Sequence, residues 1–152
     1  MMHLLFEFVF ISPADILGWL SVVLLGAVIA IPYLKNRARA RVPESNGAAP
    51  RPYLNALWPH YWFAPAVAVG SFVHAWIPMA SGHMPHTSMR GLWLATYALG
   101  LVFLQILLGL VLRFAGPATA AFLRRVHFVC MVGIVALLLA HLLLNGPLAL
   151  TS

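Results

Sequence analysis

Four long apolar runs, at about residues 16–34, 58–79, 91–114 and 126–144, dominate the chain, and the only charge inside them is Arg113, near the end of the third. At about 1.5 Å rise per residue, a helix needs about 20 residues to cross a hydrocarbon core about 30 Å thick, so each run is long enough to cross once. With 152 residues in all, four crossings and their connections nearly exhaust the chain. No room is left for a nucleotide- or flavin-binding domain. Only 8% of residues are charged, against about a quarter in an ordinary soluble domain. The expected fold is an all-α membrane protein: one four-helix transmembrane bundle over residues 1–152, joined by a cytoplasmic linker at 35–57.

Local signals support these boundaries. Ser12-Pro13-Ala14-Asp15 reads as an N-cap, a first-turn proline and an early acid, and Trp58-Pro59 opens the second run in a similar way. Pro65 and Pro78 predict a kink in the second helix, where neighbouring helices can satisfy the carbonyls they free. The apolar segment Met1 to Ile11 lacks a basic start and a small-residue cleavage site, so it is expected at the membrane interface rather than as a removable signal peptide.

The few charges bear on orientation. Lys35, Arg37, Arg39, Arg41 and Arg51 lie between the first and second runs, and Arg113, Arg124 and Arg125 around the join of the third and fourth. Only Arg90 lies on the other side. The positive-inside rule then makes both basic connections cytoplasmic and both termini external. On this reading the net charge of +6 is an orientation signal and not a nucleic-acid footprint. Pro43, Asn46, Gly47, Pro50 and Pro52 give the linker the composition of a mobile connector. Its basic residues suit anionic lipid. The expected setting is that of a multi-pass protein of a bacterial-type inner (cytoplasmic) membrane.

The chemistry lies in the histidines. A single cysteine, Cys130, excludes an internal disulfide, and the lack of a C-x-x-C-H motif excludes covalent c-type haem attachment. His60 and His74 are separated by 14 positions in the second run, and His127 and His141 by 14 in the fourth. Such a spacing is about 3.9 helical turns, so each pair shares a face, with its members about 21 Å apart along the axis. Random placement of the chain's 7 histidines would give only about 0.3 pairs at this spacing. The second and fourth helices run in the same direction, which sets His60 opposite His127 at the cytoplasmic level and His74 opposite His141 at the outer level. Opposed imidazoles at two levels are what bis-His ligation of two haem b groups requires. Zinc ligands would instead converge on one ion.

Between the ligands the same stripes pass Val67 and Ser71 on one helix and Ile134 and Leu138 on the other, expected to pack between the two macrocycles. Arg124 and Arg125 beside His127, and Arg90 on the outer side, suit haem propionates, and equally suit lipid headgroups and topology. Gly18, Gly26, Gly70, Gly100, Gly109 and Gly133 are read mainly as close helix contacts. The stretch Met79 to Met89 holds His83, His86, Met79, Met84 and Met89, a set suited to copper or to a docking partner, though a solvated surface turn is the simpler reading.

At these residues the sequence resembles the four-helix haem-carrying core of cytochrome b from the quinol:cytochrome c oxidoreductases and their photosynthetic counterparts, which carry paired histidines on their second and fourth helices. The match runs from Trp58 to Leu148, best from Arg125-Val126-His127 through His141 to Asn145-Gly146-Pro147-Leu148, with Arg90 and Trp93 at the start of the third helix. The Pro-Glu-Trp-Tyr quinol-oxidation motif and the further helices are missing, so no bifurcating quinol site is implied. The chain also looks like small bacterial b-type cytochromes, including ones that oxidise superoxide or take electrons from a hydrogenase or formate dehydrogenase, and like ferric-reductase-type membrane domains. The first of these groups spreads its ligands over three helices, whereas His3 precedes the first run here and favours a two-helix arrangement.

The expected function is a di-haem b-type cytochrome transferring electrons across the membrane between a quinol or partner subunit and an outer-side acceptor or donor. Quinone and membrane lipid are the expected small partners; a nucleic acid is not expected, and an oligomer is compatible with the sequence. The chain would then be an electron-transfer subunit or a small membrane oxidoreductase acting on superoxide, ferric or cupric ion. A haem-free metal-binding or transport protein is the rival from another class, disfavoured by the scarcity of carboxylates in the runs. A purely structural anchor subunit would leave the histidine register unexplained.

Overall fold

The computed structural model describes residues 12–40, 57–82 and 88–145, the side chains of 38–40 excepted. Four helices account for its regular structure: α1 (Pro13–Ala40), α2 (Trp58–Ser81), α3 (Met89–Phe114) and α4 (Pro117–Asn145). They contain 28, 24, 26 and 29 residues, which makes them about 36 to 44 Å long. All four are long and apolar enough to cross a membrane. The expectations for segment 1–11 with His3, for linker residues 41–56 with Arg41 and Arg51, for His83, Met84 and His86, and for Gly146 to Leu148 fall outside the described residues.

Two boundaries differ from those read in the sequence. Helix α1 continues through the basic segment to Ala40, so the linker begins after it rather than at Lys35. Lys, Arg and Ala are good helix formers, and cations at a helix C-terminus meet the negative end of its dipole. Helix α4 starts at Pro117 instead of Val126, so Arg124 and Arg125 are helical and only Ala115 and Gly116 join α3 to α4. A proline at the first helical position loses no hydrogen bond there, and Ala118 to Leu123 continue the helix well.

The caps follow the sequence. Ser12 Oγ accepts from the Asp15 amide at 3.1 Å, while the Asp15 carboxylate accepts from the Ser12 amide at 3.1 Å and its hydroxyl at 2.7 Å. This reciprocal arrangement is a capping box with Asp at its third position. Gly82, at φ +66°, ends α2 in the left-handed conformation that costs glycine little. Ser88 caps α3, accepting from the Gly91 amide at 3.0 Å. Both the amide and the hydroxyl of Ser88 also donate to Asn145 Oδ1 at 2.9 Å, which ties the end of α4 to the start of α3.

The helices pack as two antiparallel hairpins, α1 with α2 and α3 with α4, which meet more sparingly along α2 and α3. A shared core forms where all four converge: Val67 and Ala68 from α2, Val102 from α3 and Ile134 from α4, packed against Leu24, Leu25 and Val28 of α1 and Leu101 and Ile106 of α3. Val67 and Ile134 are each only 3% exposed. They occupy the positions midway between the histidines of their helices. Trp19, Trp62, Trp76, Leu107 and Phe128 face outward, an apolar perimeter of the kind that meets lipid.

Candidate functional site

Every member of the two stripes, His60, Val67, Ser71 and His74 on α2 and His127, Ile134, Leu138 and His141 on α4, is buried or half-buried. The 14-residue spacing therefore does put each histidine pair on an inward face. Three of the four histidines are held by the backbone of the other helix of their hairpin. His60 Nδ1 is 2.9 Å from the Val28 carbonyl, His74 Nδ1 is 2.6 Å from the Ala14 carbonyl, and His141 Nδ1 is 3.0 Å from the Gly91 carbonyl. A carbonyl oxygen can only accept, so each contact puts the proton on Nδ1 and leaves the Nε2 lone pair available to a metal. Such outer contacts fix the ring and raise the basicity of a metal-binding histidine.

The sequence supplies a local reason for each contact. Pro32 lies inside α1 and has no amide hydrogen, so the carbonyl one turn earlier, that of Val28, has no helical donor. His60 supplies one. Gly18 lies one turn after Ala14, and a Cβ there would stand 2.9 Å from the His74 ring. The absence of a side chain lets that ring reach the α1 backbone. Gly70 and Gly133 likewise face side chains of the partner helix, Ser21 and Leu101, whereas Gly26 and Gly100 have nothing within 4 Å. Close helix contact thus describes four of the six glycines read that way, with Gly109 beneath the His127 ring at 3.6 Å as the fourth.

The two levels differ. His60 and His127 come together, with ring centroids 6.4 Å apart and planes at 55°. Two imidazoles on opposite sides of one ion, at metal–nitrogen distances of about 2 Å, have centroids roughly 6 Å apart, close to the separation of this pair. His74 and His141 are held to their own hairpins, by Ala14 and Gly91, and not against each other. Among the described residues, no three His, Cys, Asp or Glu side chains gather around a point as a metal-ion cluster.

The arginines singled out from sequence are all exposed. Arg124 and Arg125 line a shallow groove of about 590 Å³ with Ala121, Phe128 and Val129, and Arg90 lies in the first turn of α3. Arg113, read from sequence only as an orientation charge, neighbours Tyr61, the residue next to His60. Its guanidinium lies 5.9 Å from the Tyr61 ring, and Tyr61 contacts His60 edge to face at 5.9 Å. Gln105 escaped the sequence reading, and Asn145 entered it only as part of the matching stretch. Gln105 Nε2 donates to the His127 carbonyl at 2.9 Å, and Asn145 holds Ser88 one turn beyond His141. The signal for Gln105 was present, since it is the only glutamine in the chain and sits in the middle of an apolar run, where a polar side chain is costly.

No family model, curated protein or solved structure matches the chain.

Proposed function

We propose that this protein is a di-haem b-type cytochrome that carries electrons across a membrane. The observation that carries the reading is the anchoring of three inward histidines through Nδ1 to backbone carbonyls, which leaves Nε2 for a metal. The 6.4 Å separation of the inner rings supports it further. His60 and His127 would hold the inner haem and His74 and His141 the outer one. When bound, haem supplies a one-electron iron couple whose potential is set by its ligands and surroundings. Val67 and Ile134 exclude water between the two levels, and Arg113, Arg124, Arg125 on one side and Arg90 on the other would pair with propionates or headgroups. The donor would be a membrane quinol or a partner subunit. The basic ends of α1 and the α3–α4 join favour a cytoplasmic placement, with both termini outside.

A reduced-minus-oxidised spectrum of the purified protein, with haem counted per chain, tests this reading. Two b-type haems are expected. His60→Ala and His127→Ala should each remove the inner haem alone, and His74→Ala and His141→Ala the outer alone. A protein without a b-type signal, or losses that pair His60 with His74, would overturn the reading.

A further inference from the structure

One histidine lacks the contact that the other three make. His127 Nδ1 is buried without a hydrogen-bond partner. Buried polar groups are rarely left so, because an unmade bond costs the full desolvation of the group. The orphan has a neighbour in the same condition: Gln105 Oε1 is also buried and unpartnered, while the Nε2 of the same amide is already bonded to the His127 carbonyl. A donor and an acceptor are thus both unsatisfied within one pair of residues already in contact.

The register of the hairpins points to the same residue. In the α1–α2 hairpin the two acceptors, Ala14 and Val28, are 14 positions apart, as are the histidines that reach them. In the α3–α4 hairpin His141 reaches Gly91, and the position 14 further along α3 is Gln105. The small residue one turn beyond the acceptor recurs as well: Gly18 lies under the His74 ring after Ala14, and Gly109 lies under the His127 ring after Gln105.

We propose that Gln105 is the positioning residue of His127: its side-chain Oε1 accepts the Nδ1 hydrogen, replacing the backbone carbonyl that serves each of the other three histidines. The inference rests on the cytochrome reading for its consequence but not for its geometry. Held this way, His127 keeps Nε2 deprotonated for the inner iron and is the more basic ligand, which favours the oxidised metal. An amide side chain, unlike a backbone carbonyl, can be replaced by substitution, so a point mutation removes the His127 acceptor directly.

The test uses full-length wild type, Gln105→Leu and Gln105→Glu in detergent. Haem is counted and the midpoint potential of each haem is titrated in the loaded proteins, and, because iron on Nε2 would itself fix the proton on Nδ1, the His127 tautomer is read from ring nitrogen resonances of the same proteins without haem. Wild type should carry the Nδ1–H tautomer. Gln105→Leu should lose it and raise the inner potential alone, by several-fold in the one-electron equilibrium, where tenfold is about 59 mV. Gln105→Glu retains an acceptor and should keep the tautomer, with the inner potential at or below that of wild type. An unchanged tautomer and inner potential in Gln105→Leu would overturn the proposal and leave the acceptor to the backbone. Should that variant not fold, loss of the tautomer in Gln105→Glu would overturn it instead. A wild type without haem refutes the cytochrome reading only, since the tautomers of the same proteins still decide the role of Gln105.

Discussion

Gly18 shows how much a missing side chain can determine. Its hydrogen faces the His74 ring at a distance where a methyl carbon would stand 2.9 Å from both Cε1 and Nδ1. That ring cannot retreat without lengthening its 2.6 Å contact to the Ala14 carbonyl. Gly18→Ala should therefore loosen His74 and lower outer-haem occupancy while sparing the inner haem, as read by haem-to-protein ratio and by difference spectra. Gly26→Ala is the matching control, because nothing lies within 4 Å of its added carbon. It should be neutral or stabilising by up to about 1 kcal/mol through helix propensity, measured by thermal unfolding. The two glycines are alike in sequence context, and only their place in the hairpin separates them.

Among the elements, Pro32 and Asn145 set the helix contacts. Pro32→Ala would return an amide donor to the Val28 carbonyl and so place it in competition with His60. The expected result is a more helical α1 and a higher inner-haem potential, checked by circular dichroism and redox titration on the same sample. Asn145 accepts from the amide and hydroxyl of Ser88, and Asn145→Leu leaves both of these donors without it. A loss of about 1–3 kcal/mol is expected, visible as a lower unfolding midpoint. The four helices and the inward stripes were legible in the sequence, because long apolar runs and a repeated 14-residue spacing are properties of single segments. The acceptors were not, since Val28, Ala14 and Gly91 matter through their register with a different helix. The early start of α4 was also hidden, because Arg124 and Arg125 made a helical stretch look like a charged loop. Arg113 was visible as a charge, but its place beside Tyr61 is a fact of packing.

At the scale of the whole molecule, orientation is the property most open to direct measurement. In a Cys130→Ala background, single cysteines placed between residues 41 and 56 should react with a membrane-impermeant thiol reagent only from the cytoplasmic side of sealed vesicles, and cysteines at either end of the chain only from the outside. The reverse pattern would exchange the inner and outer assignments of the two histidine levels while leaving the hairpins intact. Those hairpins pack well internally and touch each other sparingly, away from the shared centre at Val67, Val102 and Ile134. Each proposed iron takes one ligand from either hairpin. Binding that requires both halves stabilises only the state in which they are joined, so cofactor loading would act as a clasp on the bundle. The amount of mature protein in a cell would then follow its haem supply, with unloaded chains open to membrane proteases before they carried a single electron.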